Sequence, residues 1–351
     1  MKFHRDKLLY RAFAWDLVVI LLLVFFAQSC TQKQVVGPGI QVLTYSTLGS
    51  KGGFLESVKE SFKKESGCEL RLETTLGAAQ VLSYLEEPKQ RDRIDLVMGI
   101  DELLFERAKA SFYLGEIKNV PYQENLIPPL KSRVKPGFIP MDYGALSFIY
   151  RKSEFKGSIK VPTSLPDLLK PELKQKWIVQ DPRASSPGML FFLFTDSILK
   201  ISQMKHQWVT LAPSWDASYK MFLAKEAPMV WSYVTSLAYH ASKGELDQYG
   251  YVDFKEGLPV QVEGMAILNH VGDPLKNNPC LEKWIAFVLR PDQQAKLVER
   301  QWMMPVISGV KLPKNFESVP ELKKIASIPL NLEKVDSLVS HFGKEVQGDS
   351  L

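Results

Sequence analysis

Signatures of covalent chemistry are scarce in this sequence. Its 351 residues hold five histidines, His4, His206, His240, His270 and His341, and none has the close Cys, His or Glu partners of a metal site. No G-x-S-x-G elbow and no phosphate-type glycine loop is present. Three cysteines are too few for a disulfide framework. The net charge is +5, from 44 basic and 39 acidic side chains, with no dense Lys/Arg block, which argues against a nucleic-acid partner. Internal repeats and low-complexity stretches are absent too. What remains is a globular composition, 45% hydrophobic, 24% charged and 11% aromatic, long enough for about two domains or lobes.

The N-terminus is a separate object. Lys2, Arg5, Lys7 and Arg11 precede an unbroken apolar run at 17–27, LVVILLLVFFA. At about 1.5 Å per residue the run reaches roughly 16 Å, too short for a bilayer core of about 30 Å. A basic start with a short apolar run reads as a secretory signal. The run ends in Ala27-Gln28-Ser29-Cys30, which resembles a bacterial lipoprotein signal, with Cys30 as the lipidated new N-terminus. Losing residues 1–29 removes four basic and two acidic side chains and lowers the charge to +3. Residues 30–39 read as a tether, broken by Gly37-Pro38-Gly39. Cys68 and Cys280 then remain, either as a pair or as two buried free thiols.

From residue 40 onward short strands alternate with helices. Strands are expected at 40–45, 69–73 and 94–98, the last ending at Gly99. Helices are expected at 53–66, where Phe54, Val58 and Phe62 recur at i, i+4, i+8, at 78–85, and at 101–110 with Asp101 and Glu102 in the first turn. A second series has strands at 145–150, 177–180 and 229–233. Its helices are expected at 164–169, 186–200, 216–224 and 236–242, with extended pieces at 260–262 and 266–268. A late amphipathic helix around Leu281, Trp284, Ile285 and Val288 stops at Pro291 and restarts at 292–300. The β-α-β-α order predicts an α/β fold with mostly parallel sheets flanked by helices.

Two features carry chemistry. The stretch QDPRASSPG at 180–188 joins a strand to an apolar helix, with Ser186 as N-cap and Pro187 at the first helical position. Such a helix start offers free N–H groups, and Ser185 and Ser186 add hydroxyls, so it suits an anionic or hydrogen-bond-accepting ligand group. Tyr45, Trp215, Tyr233, Tyr239 and Trp302 sit at strand ends, helix starts and loop edges, where aromatic faces can line a cleft for a flat or cationic ligand. Glu263, near a strand end, reads as a solvated or hinge residue rather than a catalytic acid.

With these residues in place, the chain resembles the thiamine-binding periplasmic proteins of ABC importers, within the type II solute-binding superfamily. The resemblance covers about residues 40–315. Its most specific stretches are QDPRASSPG at 180–188 and SYVTS at 232–236 with Ala238-Tyr239-His240. It also includes VLTY at 42–45, DLVMGID at 95–101, PMDYG at 140–144, SWDASY at 214–219, QVE at 261–263, AFVLRPD at 286–292 and QWMMPV at 301–306. The resemblance implies a two-lobed fold with the ligand in the interlobe cleft. It implies that Tyr45, Tyr239 and Trp302 hold the vitamin's rings, and that Ser185 or Ser186, Trp215 and Tyr233 hold its hydroxyethyl or phosphate end. The family's Asp-Gly pair falls on Leu76-Gly77, so Gly77 is carried over and the carboxylate is not; Asp101 is the candidate replacement. Ser46 stands where the family has an acidic residue, and its Trp-Gly pair is absent from 47–53.

The expectation is therefore an exported, lipid-anchored, monomeric binding protein without cofactor, metal or nucleic acid. Lobe 1 takes residues 40–144 and 264–351, and lobe 2 takes 145–263, with hinges near 143–146 and 261–265. The protein would capture thiamine or a thiamine phosphate for a permease and its ATPase. Ferric iron, a polyamine or another heterocycle is the alternative cargo. A thiamine-degrading transferase of the same fold would need a cleft cysteine, which neither Cys68 on an early strand nor Cys280 before a late helix supplies.

Overall fold

The computed structural model describes residues 37–111, 114–115, 120–131, 133–268, 278–328 and 331–347. The expected signal, Cys30 and the first part of the tether lie outside the described residues. Strand β1 (Gly39–Tyr45) is followed by α1 (Phe54–Ser66), β2 (Glu69–Thr75), α2 (Ala78–Glu86), β3 (Leu96–Asp101) and α3 (Glu102–Ser111). The long strand β4 (Ile139–Arg151) leads into β5 (Trp177–Gln180), α4 (Ser186–Thr195), β6 (Leu211–Ala212), α5 (Trp215–Leu223), β7 (Met229–Tyr233), α6 (Ser236–Ser242) and β8 (Tyr249–Tyr251). The chain returns through β9 (Val260–Ile267), α7 (Pro279–Val288), α8 (Pro291–Gln301), β10 (Met304–Pro305) and α9 (Leu332–Gln347).

The strands run in the order β2-β1-β3-β9-β4-β7-β5-β6, with β8 and β10 paired to β4. Parallel pairing is confined to the wings, β2-β1-β3 and β7-β5-β6. The central strands β9 and β4 are antiparallel to their neighbours. The β-α-β pattern foretold only the wings, because a strand that returns from the far side of the chain carries no local sign of its direction. Strand β4 changes partner midway: Ile139 to Ala145 pair with β9, and Leu146 to Tyr150 pair with β7.

Each wing has its own packing. On one side Phe54, Leu55, Val58 and Phe62 of α1 are buried, and Phe62 meets Trp284 of α7 edge-on at 4.8 Å. A disulfide joins Cys68, ahead of β2, to Cys280 in α7, which resolves the pairing that the sequence left open. On the other side Phe148, Trp177, Phe191 and Trp231 form an aromatic cluster. Every residue of α4 is buried, as an all-round apolar helix requires.

Two expectations need correction. Strand β3 does not end at Gly99 but runs on to Asp101, with a register shift in its pairing to β9 between Met98 and Ile100. Gly99 has φ +76°, and a Cβ there would lie 2.4 Å from the Tyr45 ring, so the glycine makes a bulge rather than a stop. Helix α4 ends at Thr195, and its N-cap is Ser185; Ser186 is the first helical residue. The C-terminal helix α9 touches both sides: Phe342 meets Phe192 of α4 at 4.8 Å, Lys334 reaches Asp196 at 3.1 Å, and the helix also packs on α3.

Candidate functional site

A cavity of about 350 Å³ opens where the two wings meet. Elements from both wings contribute by their ends. Tyr45 closes β1, Gly77 is the N-cap of α2, and Ser185 and Ser186 open α4. Trp215 opens α5, where Ser214 caps the helix by accepting from Ala217 N–H at 3.2 Å. Tyr233 closes β7, Tyr239 sits on α6 and Trp302 follows α8. Strand ends and helix starts face one crevice in an open α/β sheet, so these distant residues converge.

The aromatic wall is held by specific contacts. Trp215 stacks on Tyr219 at 5.2 Å and 20°, and its indole N–H donates to Ser232 Oγ at 2.8 Å. Ser232 in turn meets the Ser236 hydroxyl at 3.0 Å. Tyr219 O–H lies 2.8 Å from His240 Nε2, and the buried His240 ring stacks on Tyr249 at 3.5 Å. Trp302 has left-handed backbone, φ 57°, which costs a non-glycine residue about 1 kcal/mol. That turn sets its ring parallel to Phe316 and edge-on to Tyr239 at 5.5 Å.

The Ser186 hydroxyl lies beside the Asp101 carboxylate, while one hydroxyl in the wall, Thr235 Oγ1, is buried without a hydrogen bond. Buried polar groups in this state are completed by a ligand or water. At the cavity edge Lys220 is engaged by Asp216 at 2.6 Å, and Arg300 stands exposed.

The floor is acidic. Glu263 lines the cavity and is only 6% exposed, so of the two roles expected for it, solvated or hinge, the first does not hold. Tyr45 O–H donates to Glu263 Oε2 at 2.7 Å, and Tyr233 O–H lies 3.2 Å from Oε1. Burial pushes the Glu263 pKa up to about 7, and nearby Asp101 adds to the rise. Asp101 is absent from this cavity wall. It caps α3 by accepting from Leu103 and Leu104 N–H at 3.1 and 2.8 Å, and it accepts from Gln261 Nε2 at 2.9 Å. Burial raises its pKa to about 6 despite those donors. Of the expected site residues, Tyr45, Gly77, Ser185, Ser186, Trp215, Tyr233, Tyr239 and Trp302 meet in one cavity, and Asp101 stands one strand away.

Sequence reasoning did not place Glu263, Thr235 or Tyr219 at the site. A signal for the first existed: Gln261 and Glu263 alternate in the otherwise buried stretch VQVEGMAI, and period-two polar residues in a central strand need a reason.

The sequence profile of the family described as bacterial extracellular solute-binding protein matches residues 92–331. The chain belongs to this family. Among relatives of this solute-binding protein, a thiamine-binding periplasmic protein from Brucella abortus is 30% identical over 83% of this chain and 86% of its own length. A solved periplasmic thiamin binding protein superposes with a TM-score of 0.76 at 26% identity, covering 88% of this chain and 96% of that one. The ferric binding protein from Campylobacter jejuni shares the fold, with a TM-score of 0.68 at 16% identity over 88% of this chain and 98% of that one. The solute-binding protein thus has the two-lobed periplasmic binding architecture. Its relatives are periplasmic binding proteins, consistent with an exported chain.

Proposed function

We propose that this protein captures thiamine or a thiamine phosphate outside the cytoplasm and delivers it to an ABC permease and its ATPase. The observation that carries the reading is the cavity itself. It combines an aromatic wall, a carboxyl floor and a serine-bearing helix start, matching a ligand with a flat aminopyrimidine, a cationic thiazolium and a polar tail. The relatives named for thiamine support it. Ser185, Ser186 and Thr235 take the hydroxyethyl or phosphate end, and Tyr45, Tyr239 and Trp302 the rings. No bond is made or broken; the ligand leaves as it arrived.

The lobes close by bending at 143–146 and 261–265, where β4 exchanges one partner strand for another. We assign 40–144 and 264 to about 311 to lobe 1. Residues 145–263 and the C-terminal segment form lobe 2, because Asn315 donates to Ala238 O at 3.0 Å and Phe342 of α9 meets Phe192 of α4. Lipidation at Cys30 anchors the monomer to a membrane through the tether. Among the described residues no helix is long and apolar enough to cross one.

Calorimetry tests the ligand. Thiamine is expected to bind with a Kd far below 1 mM. No heat at millimolar thiamine, with ferric iron or a polyamine binding instead, refutes the assignment. For iron, no group of three or more His, Cys, Asp or Glu among the described residues is arranged to hold a metal ion.

A further inference from the structure

The floor of the cavity holds more acid than its hydrogen bonds can use. Glu263 in β9 pairs with Asp101 in β3 on one side and with Asp142 in β4 on the other. All three are buried, and both carboxyl oxygens of Asp142 lack any partner. The groups facing Glu263 are Tyr45 from β1, Tyr233 from β7, Asp142 from β4 and Asp101 from β3. Among the described residues none of the three carboxyls has a Lys or Arg partner. The cations at the cavity edge, Lys220 and Arg300, make no contact with them, and Lys220 is already paired with Asp216. Three ionised carboxylates in one desolvated cluster repel one another, so the empty site must hold protons.

The hydrogen-bond count says where one of them sits. Tyr233 O–H has a single proton but two acceptor neighbours, Gln261 Oε1 at 3.1 Å and Glu263 Oε1 at 3.2 Å. If Glu263 is protonated on Oε1, it donates to Tyr233, Tyr233 donates to Gln261, and Gln261 Nε2 donates to Asp101. Each donor and acceptor along this relay is then satisfied. If Glu263 is ionised without a compensating cation, one acceptor loses its donor and a charge is buried unpaired.

We propose that Glu263 is the counter-charge for the cationic ring of the ligand, and that the protein exchanges a proton for that cation on loading. In the empty cavity Glu263 carries the proton; when the cation enters, the proton leaves to solvent through the cavity and the carboxylate stays beside the ring. This deepens the thiamine reading and rests on it. Asp142, with its pKa pushed well above the usual carboxylate range by burial and by Glu263, does not line the cavity. Glu263, near neutrality, is the group that responds. Affinity therefore rises with pH up to about 7 and levels off above, giving a Kd about tenfold weaker at pH 6 than at pH 8. A neutral ligand of the same shape gains nothing from this device.

Titration calorimetry of the mature protein with thiamine, at pH 6, 7 and 8 and in two buffers of different ionisation heat, tests the exchange. The expected result is release of about half a proton per thiamine at pH 7. Glu263→Gln is expected to bind more than tenfold more weakly at pH 8, with no proton release and a flat pH profile. Tight binding by the unaltered protein with no proton exchange and no pH dependence overturns the counter-charge role and leaves the thiamine reading standing. Absence of thiamine binding at all three pH values overturns both. The proton count on the unaltered protein decides the matter even if the variant fails to fold.

Discussion

Trp215 offers the sharpest test of the aromatic wall. Its ring is stacked on Tyr219 and tilted against Tyr233 at 6.3 Å, and its N–H is spent on Ser232. On the proposed reading, a ligand would meet indole surface and not an indole donor. Trp215→Ala removes roughly 100 Å² of apolar contact, about 2.5 kcal/mol. That is about two orders of magnitude in Kd. Trp215→Phe keeps a ring on Tyr219 and loses only the bond to Ser232, whose hydroxyl still has Ser236. Its cost is about 1 kcal/mol, or fivefold. Calorimetry with thiamine reads the affinities, and a thermal melt checks that both variants are folded. If both folded variants bind within about threefold of the parent, the aromatic wall does not hold the ligand.

Three further outcomes are expected. Tyr239→Ala, which also removes the edge-on support of Trp302, weakens thiamine binding more than tenfold in the same assay. Replacing Cys68 and Cys280 together by serine opens a loop of 212 residues and lowers stability by up to about 5 kcal/mol, roughly 8 °C in Tm by calorimetric melting; an unchanged Tm counts against the bond. For the ligand-free protein, the folded pKa of Glu263, about 7, exceeds its ordinary 4.5, so its contribution is whole below about pH 4.5 and is lost as pH rises to about 7. Denaturant melts should show the parent losing about 3 kcal/mol across that window relative to Glu263→Gln, and parallel curves for the two proteins contradict the burial argument.

Local elements were legible because their causes are local. Helix α6 carries the bounds read from sequence, and α1 follows from Phe54, Val58 and Phe62 at helical spacing. Trp215 at a helix start follows from Ser214 before it. Ser185 and Ser186 were found together, but which one caps α4 was misassigned. A capping position depends on where the backbone turns helical, and both serines suit it. Strand β3 ran past Gly99 because that glycine serves the Tyr45 ring across the sheet, a cause invisible within its own segment.

By itself, the amino-acid order determined the α/β alternation, the export-type start, and the aromatic and serine residues that border the cavity. Tertiary structure decided who meets whom. Asp101, Asp142 and Glu263 are ordinary acids along the chain, and they become one buried cluster only because β9 inserts between β3 and β4. Cys68 and Cys280 pair across 212 residues for the same reason. Periodicity and capping act over a few residues, whereas strand order, burial and the resulting proton affinities are set by neighbours that only the completed sheet brings within reach.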